Sequence, residues 1–310
     1  MGGYEFLIIS VLKRALVAGT PLLLGTLGEI YAERSGVLNL GVEGLMAIGA
    51  VSGFGVALVT GNPWLGLLAA AVFGAILSLV HAFVSVTLKS NQIISGLALT
   101  MLGLGISGLW GKAYIGIPLT TKFESVKIPI LSKIPYVGEI LFHQDPIFYI
   151  SVIAGIVMWF ILFKTEVGIN IRSVGENPLA ADAMGVNVYK TRYVCVIIGG
   201  VLAGVAGAHL SLAYIPSWIE GMTGGRGWIV IALTIFALWN PLRAMLGAYL
   251  FGGIYVLQYL LQPIGIPPNI LLMFPYLATL FVLLVSAQET FRKRMGAPRS
   301  LGVPYDKEEK

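Results

Sequence analysis

The sequence predicts an all-α fold, a polytopic bundle of membrane helices, on three observations. Of 310 residues, 57% are hydrophobic and only 11% charged, against ~25% charged in soluble domains. Apolar runs near the ~20 residues needed to cross a bilayer recur along the whole chain. The 39 glycines suit membrane helices that pack through small residues. No stretch is both long and polar enough to form a water-soluble domain, so residues 1–310 read as a single transmembrane domain.

The elements follow in order. Residues 1–14 read as an amphipathic N-terminal segment, and no cleavage site follows the first apolar run. About nine spans are expected, over residues 15–31, 37–60, 64–88, 92–110, 147–163, 193–213, 227–239, 244–261 and 269–287. The seventh is short, which predicts a bent or half-depth segment. Residues 288–310 form a polar tail.

Orientation follows from Lys and Arg, which concentrate on the cytoplasmic side. With the tail inside, 13 of the 20 basic residues fall on the inner side and 7, Arg226 among them, on the outer. Loop 164–192 is then cytoplasmic, and 111–146, with Pro118, Pro129, Pro135 and Pro146, is the largest external loop.

Polar residues inside apolar runs are the candidates for function. "GEIYAERSGVLNLGVEG", 28–44, carries Glu29, Glu33 and Glu43. A carboxylate at mid-bilayer costs ~2.5–3.5 kcal/mol and usually faces a bundle interior or a wet cavity. Asn39, Gly41 and Gly44 around Glu43 predict a broken or re-entrant segment near residues 33–44, which is tolerated only where it is buried or lines a cavity. Asn39, Glu43, Asn91, Gln92, Thr100 and Asn240 are the candidates for a translocation path. The competing reading makes Glu43 a polar staple, Asn91-Gln92 a helix cap and Asn240-Pro241 a turn.

Several chemistries are excluded or weak. Gly111-Lys112 lacks the rest of a phosphate-binding loop, since position 106 is Ile and 113 is Ala. "GLGISG", 103–108, has the dinucleotide spacing but no strand before it. Cys195 is the only cysteine, so neither a disulfide nor a Cys-based metal cluster is expected. His81 and His209 lack metal-ligand spacing, and no metal site is expected. The net charge of +5 gathers at segment ends and does not point to nucleic acid.

"GENPLAADAMG", 175–185, is the most organised polar stretch. Asn177 suits an N-cap, Pro178 the first helical position and Gly185 a left-handed stop. The enclosed helix is far below the ~12–15 residues of a marginal isolated helix. Small, smooth and partly apolar, it suits docking into a groove on a partner, which makes this protein one driven by another chain.

Here the sequence resembles a known family. "ENPLAADAMG" is similar to the coupling-helix region of ABC importer permeases: Ala180, Ala181 and Gly185 match an Ala-Ala-x-x-x-Gly core, with Leu179 where Glu stands in the general pattern. "ERSGVLNLGVEG" (33–44), "NQIISGLALTMLG" (91–103) and "GRGWIVIALTIFALWNPLRAMLGAYLFGG" (225–253) resemble the branched-chain amino acid/simple-sugar permease superfamily, closest to its nucleoside-type branch.

The resemblance implies the shorter of two homologous permease subunits in an ATP-driven importer. It implies a cytosolic ATPase with two fused nucleotide-binding domains, which binds ATP and Mg, and an extracytoplasmic binding lipoprotein or periplasmic protein that delivers substrate. Coupling would run through Asn177, Pro178, Ala180, Ala181, Asp182 and Gly185. The chain itself would bind no cofactor, perform no covalent chemistry and sit in the bacterial inner membrane. Nucleosides are the expected substrates, with a ribose- or galactose-like sugar as the alternative. A self-contained secondary transporter would need internal repeats, which are not evident. An intramembrane enzyme would need Glu43, His81 and His209 to converge.

Overall fold

The computed structural model describes residues 3–262, 265–271, 273–286 and 296–307. The rest of the N-terminal segment (1–2), the end of the last expected span (287) and tail residues 288–295 and 308–310 lie outside them.

The bundle is helical apart from short breaks, chiefly residues 35–41 and 215–225. Helix α1 (Gly3–Arg34) is continuous, so the N-terminal stretch from residue 3 extends the first span's helix instead of forming a separate one. After a non-helical segment, α2 (Val42–Thr60), α3 (Pro63–Ala82) and α4 (Gln92–Gly111) follow. A π-turn, Phe83–Thr87, prolongs α3. Residues 112–145 hold a two-stranded ribbon, β1 (Val126–Lys127) with β2 (His143–Gln144), and a short α5 (Val137–Leu141). Then come α6 (Pro146–Lys164), α7 (Glu166–Glu176), α8 (Pro178–Ala183) and α9 (Val188–His209), the last prolonged by a π-turn, Leu210–Tyr214. Helices α10 (Arg226–Phe236), α11 (Pro241–Leu261), α12 (Pro268–Leu271) and α13 (Phe274–Ser286) complete the chain.

Among the described residues, six helices are by themselves long and apolar enough to cross a membrane: α1, α2, α3, α4, α6 and α9 with their extensions. Helix α10 has 11 residues, a rise of about 16 Å, roughly half a hydrocarbon core.

Helix α2 forms the centre of the bundle. In its most apolar stretch 83% of residues are buried, against 28% for α3 and α4, whose outer faces remain apolar and open. It is enclosed by α3, α4 and α9, with α10 against it as well. Gly44 and Gly103 allow α2 and α4 to touch through their backbones; a Cβ on Gly44 would lie 2.6 Å from the Leu99 carbonyl oxygen and 2.7 Å from the Thr100 Cα.

Contacts between elements sort the loops onto two faces. Lys13 Nζ lies 3.4 Å from His143 Nδ1, which joins the start of α1 to the 112–145 region. On the opposite face, Arg34 donates to the carbonyls of Leu238, Trp239 and Gly296, and Lys89 pairs with Asp306 at 2.7 Å. The tail, the loop after α10 and the end of α1 therefore share one face, hereafter the tail face.

Candidate functional site

Polar chemistry gathers at two places: a platform on the tail face and a non-helical region at membrane depth.

The platform is α8. Asn177 Oδ1 accepts from Ala180 N–H at 3.0 Å, Pro178 occupies the first position, and Gly185 turns left-handed with φ +87°. Gly185 N–H donates to Asp182 O and Val186 N–H to Ala181 O, closing the last turn. A helix this short gains little from its own hydrogen bonds, so packing must hold it. Ala181 is buried against Val174, Val188 and Tyr305. Leu179, Ala180, Ala183 and Met184 face outward, and Met184 is 85% exposed.

Sequence reasoning missed what supports the platform. Tail residues 296–307 fold back beneath it. Ser300 N–H donates to Gly175 O at 2.9 Å, and Lys307 pairs with Asp182 at 3.0 Å. That Asp182 partner raises the exposed Lys307 ammonium above its ordinary pKa. Arg192, counted in the sequence as an ordinary inner-face cation, is fully buried. Its guanidinium donates to Ser35 O, Val303 O and Ser300 Oγ at 3.2–3.3 Å, joining the start of α9 to the end of α1 and to the tail. The signal available beforehand was the run "RSLGVPYD", where Leu301, Val303 and Tyr305 interrupt a charged tail.

The second region begins where α1 stops. Residues 35–41 are extended or turned, as expected for the re-entrant segment, and side chains from four helices take up their main-chain groups. Leu38 N–H donates to Gln92 Oε1 at 2.7 Å, and Leu38 O faces His81 Nε2 at 3.2 Å. Asn39 N–H donates to Glu29 Oε1, Gly41 N–H to Asn39 Oδ1, and Thr100 Oγ1 donates to Leu40 O at 2.9 Å. The Trp239 indole N–H donates to Glu33 Oε2, tying the end of α10 to α1.

Glu43, at the start of α2, accepts from Gly225 N–H at 2.8 Å and Gly227 N–H at 2.6 Å. These amides sit at the start of α10, where unpaired N–H groups and the helix dipole favour an anion. Arg226 lies beside them, its guanidinium 4.7 Å from the Tyr255 ring centre and 5.6 Å from that of Tyr214. It is buried at this depth and not in an outer loop as its place in the sequence suggested.

The structure thus brings Asn39, Glu43, Gln92 and Thr100 together around one break. It does not bring Asn91 or Asn240 there. Both cap helices at the tail face: Asn91 accepts from Ile93 and Ile94 N–H, Asn240 from Leu242 and Arg243 N–H. Nor do Glu43, His81 and His209 share partners. His81 Nδ1 meets Ser95 Oγ at 2.9 Å. His209 Nε2 meets Asp145 Oδ2 at 3.3 Å on the face opposite the tail. Asp145 also caps α6 through Ile147 and Phe148 N–H. Burial raises its pKa, but the neighbouring imidazole and these amides outweigh that and hold the carboxyl below its ordinary range.

Comparison with known proteins places this geometry. A family model described as branched-chain amino acid transport system / permease component matches residues 11–283. TsgC13 of Haloferax volcanii, provisionally a glucose ABC transporter permease protein, is 42% identical over 96% of this chain and 98% of its own. NupQ of Bacillus subtilis, a guanosine ABC transporter permease protein, is 40% identical over 97% and 98%. NupP of the same organism, also a guanosine ABC transporter permease protein, is 26% identical over 91% and 83%. A solved inward-facing metal-chelate type ABC transporter shares the fold at TM-score 0.51, with 16% identity over 90% of this chain and 86% of that one.

Proposed function

Because the chain belongs to the branched-chain amino acid transport system permease family, we propose that it is the membrane-spanning subunit of an ATP-driven nucleoside importer. The observation that carries the nucleoside reading is the 40% identity to NupQ over nearly the full length of both chains. TsgC13 favours a sugar as the second reading. Nucleosides and sugars are both neutral and rich in hydroxyls, in keeping with the few charges at membrane depth.

The tail face is cytoplasmic in this reading, because most Lys and Arg lie there, and the membrane is the bacterial inner membrane. Helix α8 presents Leu179 and Met184 to a groove on a separate ATPase with two fused nucleotide-binding domains. That partner holds ATP and Mg. A second homologous permease, related to this chain as NupP is to NupQ, completes the membrane pair, and an extracytoplasmic binding protein supplies substrate. Asn177, Pro178, Ala180, Ala181, Asp182 and Gly185 shape the coupling helix. Asn39, Glu43, Gln92 and Thr100 frame the path, each bonded to the main chain through oxygen, with the Asn39 and Gln92 amide nitrogens buried without a partner among the described residues, while Asn91 and Asn240 set helix ends.

The test is uptake by proteoliposomes holding the full complex. Guanosine is expected to be taken up in preference to glucose or ribose; preference for a sugar would establish the second reading. Gly185→Val forces a β-branched residue into the left-handed region and re-aims α8. It is expected to lower substrate-stimulated ATP hydrolysis and uptake together, about tenfold, while the binding protein still captures substrate. Normal coupling in an assembled Gly185→Val complex would remove α8 from the mechanism. For orientation, cysteine at position 182 on a Cys195→Ala background should resist an impermeant reagent applied outside intact cells.

A further inference from the structure

Residues 215–225 join α9 to α10 without a helix. Their depth follows from the neighbours. Gly225 is bonded to Glu43, whose neighbour Gly44 packs on Thr100, roughly 12 Å along α4 from Gln92 at ~1.5 Å per residue. Trp218 packs on Gly111, and Glu220 Oε1 lies 3.5 Å from where a Cβ on Gly108 would sit, roughly 24 Å along the same helix. Lys89 and Lys112 bracket α4. Residues 220–225 therefore lie within the hydrocarbon depth of ~30 Å.

This stretch is open. Ile219, Glu220, Gly221 and Gly224 are exposed. Among the described residues, the main-chain N–H groups of Ile219, Glu220 and Gly221 donate to nothing, and the Glu220 carboxylate has no hydrogen bond or ion pair. The Trp218 indole N–H is buried without a partner. A cavity of about 180 Å³ opens here, lined by Ala47, Ser107, Gly108, Trp218, Glu220 and Thr223. Irregular backbone at membrane depth does not face lipid; it is buried in protein or lines a water-filled cavity. An unpaired carboxylate buried against lipid or apolar protein would cost several kcal/mol, so the exposed oxygens of Glu220 favour water.

We infer that this cavity is part of the transport path and that Glu220 is a substrate-contacting residue, accepting hydrogen bonds from adjacent hydroxyls of the solute. An ionised carboxylate only accepts, and two neighbouring hydroxyls match its two oxygens. A nucleoside's ribose and a free sugar both present that pair. The inference rests on the transport reading for its solute and on the geometry alone for its water.

The experiment uses the complete reconstituted complex on a Cys195→Ala background. Glu220→Cys is expected to react with a water-soluble thiosulfonate at least tenfold faster than Leu102→Cys on the open apolar face of α4, and to be protected by guanosine with the binding protein. Equal rates would overturn the inference, because the face would then be sealed or lipid-covered. Glu220→Gln is expected to raise the KM for guanosine uptake about tenfold in the assembled complex, whereas Glu124→Gln in the 112–145 region has no effect. Wild-type preference for guanosine over 2′,3′-dideoxyguanosine should disappear in Glu220→Gln; an unchanged preference, or unchanged uptake in a variant whose position 220 labels, would overturn the contact. Parallel uptake of ribose and glucose identifies the source of the hydroxyls. If the wild-type complex moves none of these solutes, the transport reading fails, while the labelling rates still decide whether the cavity is wet.

Discussion

Residues 35–41 and 220–225 are both non-helical chain at membrane depth, yet the molecule treats them oppositely. In the first, Gln92, His81, Glu29, Asn39 and Thr100 bring polar atoms to the main chain from surrounding elements. In the second, bonding is mostly between near neighbours in turns, with Gly221, Gly224 and Gly225 in left-handed conformations, and one wall is open. The difference teaches that a broken membrane segment is not by itself a path. A break whose backbone is occupied by side chains is framework; one whose N–H groups and carboxylate are left free requires water.

The contrast can be broken experimentally. The largest effect is expected from Glu43→Ala, which strips two amide donors of a charged acceptor. Hydrogen bonds to charged groups contribute roughly 1.5–3 kcal/mol each, so the variant should lose most assembled complex, read by thermal unfolding in detergent. Glu43→Gln keeps one acceptor oxygen and should fall between. A stable Glu43→Ala complex with altered uptake would move Glu43 from framework to path.

Gln92→Leu should come next. It leaves the part-buried Leu38 N–H without its acceptor, at about 1–3 kcal/mol, again seen as a lower unfolding temperature with unchanged uptake per folded complex. Thr100→Val removes one neutral hydrogen bond to Leu40 O at nearly constant volume, about 1 kcal/mol. On the open side, Ile219→Ser should change stability by less than about 0.5 kcal/mol, as surface positions do. Destabilisation there as large as that of Gln92→Leu would erase the distinction between the two regions.

Much of this was legible beforehand. The class follows from composition, because a chain with so few charges has no way to cover a soluble surface. The ends of α8 follow from Asn177, Pro178 and Gly185, since caps and left-handed stops are local chemistry. The break near residues 33–44 follows from the expense of Glu43 among glycines, and the short seventh segment from its length.

What only the tertiary structure decided is which partner each polar group meets. Sequence spacing does not reveal that Glu43 would close on amides 182 and 184 residues away. It does not reveal that Arg192 would tie the tail to the end of α1, nor that Glu220 would be left without a partner at membrane depth. Local signals act over one or two turns, within reach of a side chain along its own helix. Sealing a break or leaving one open depends on groups from distant elements arriving at the same depth, and that is set by how the helices pack.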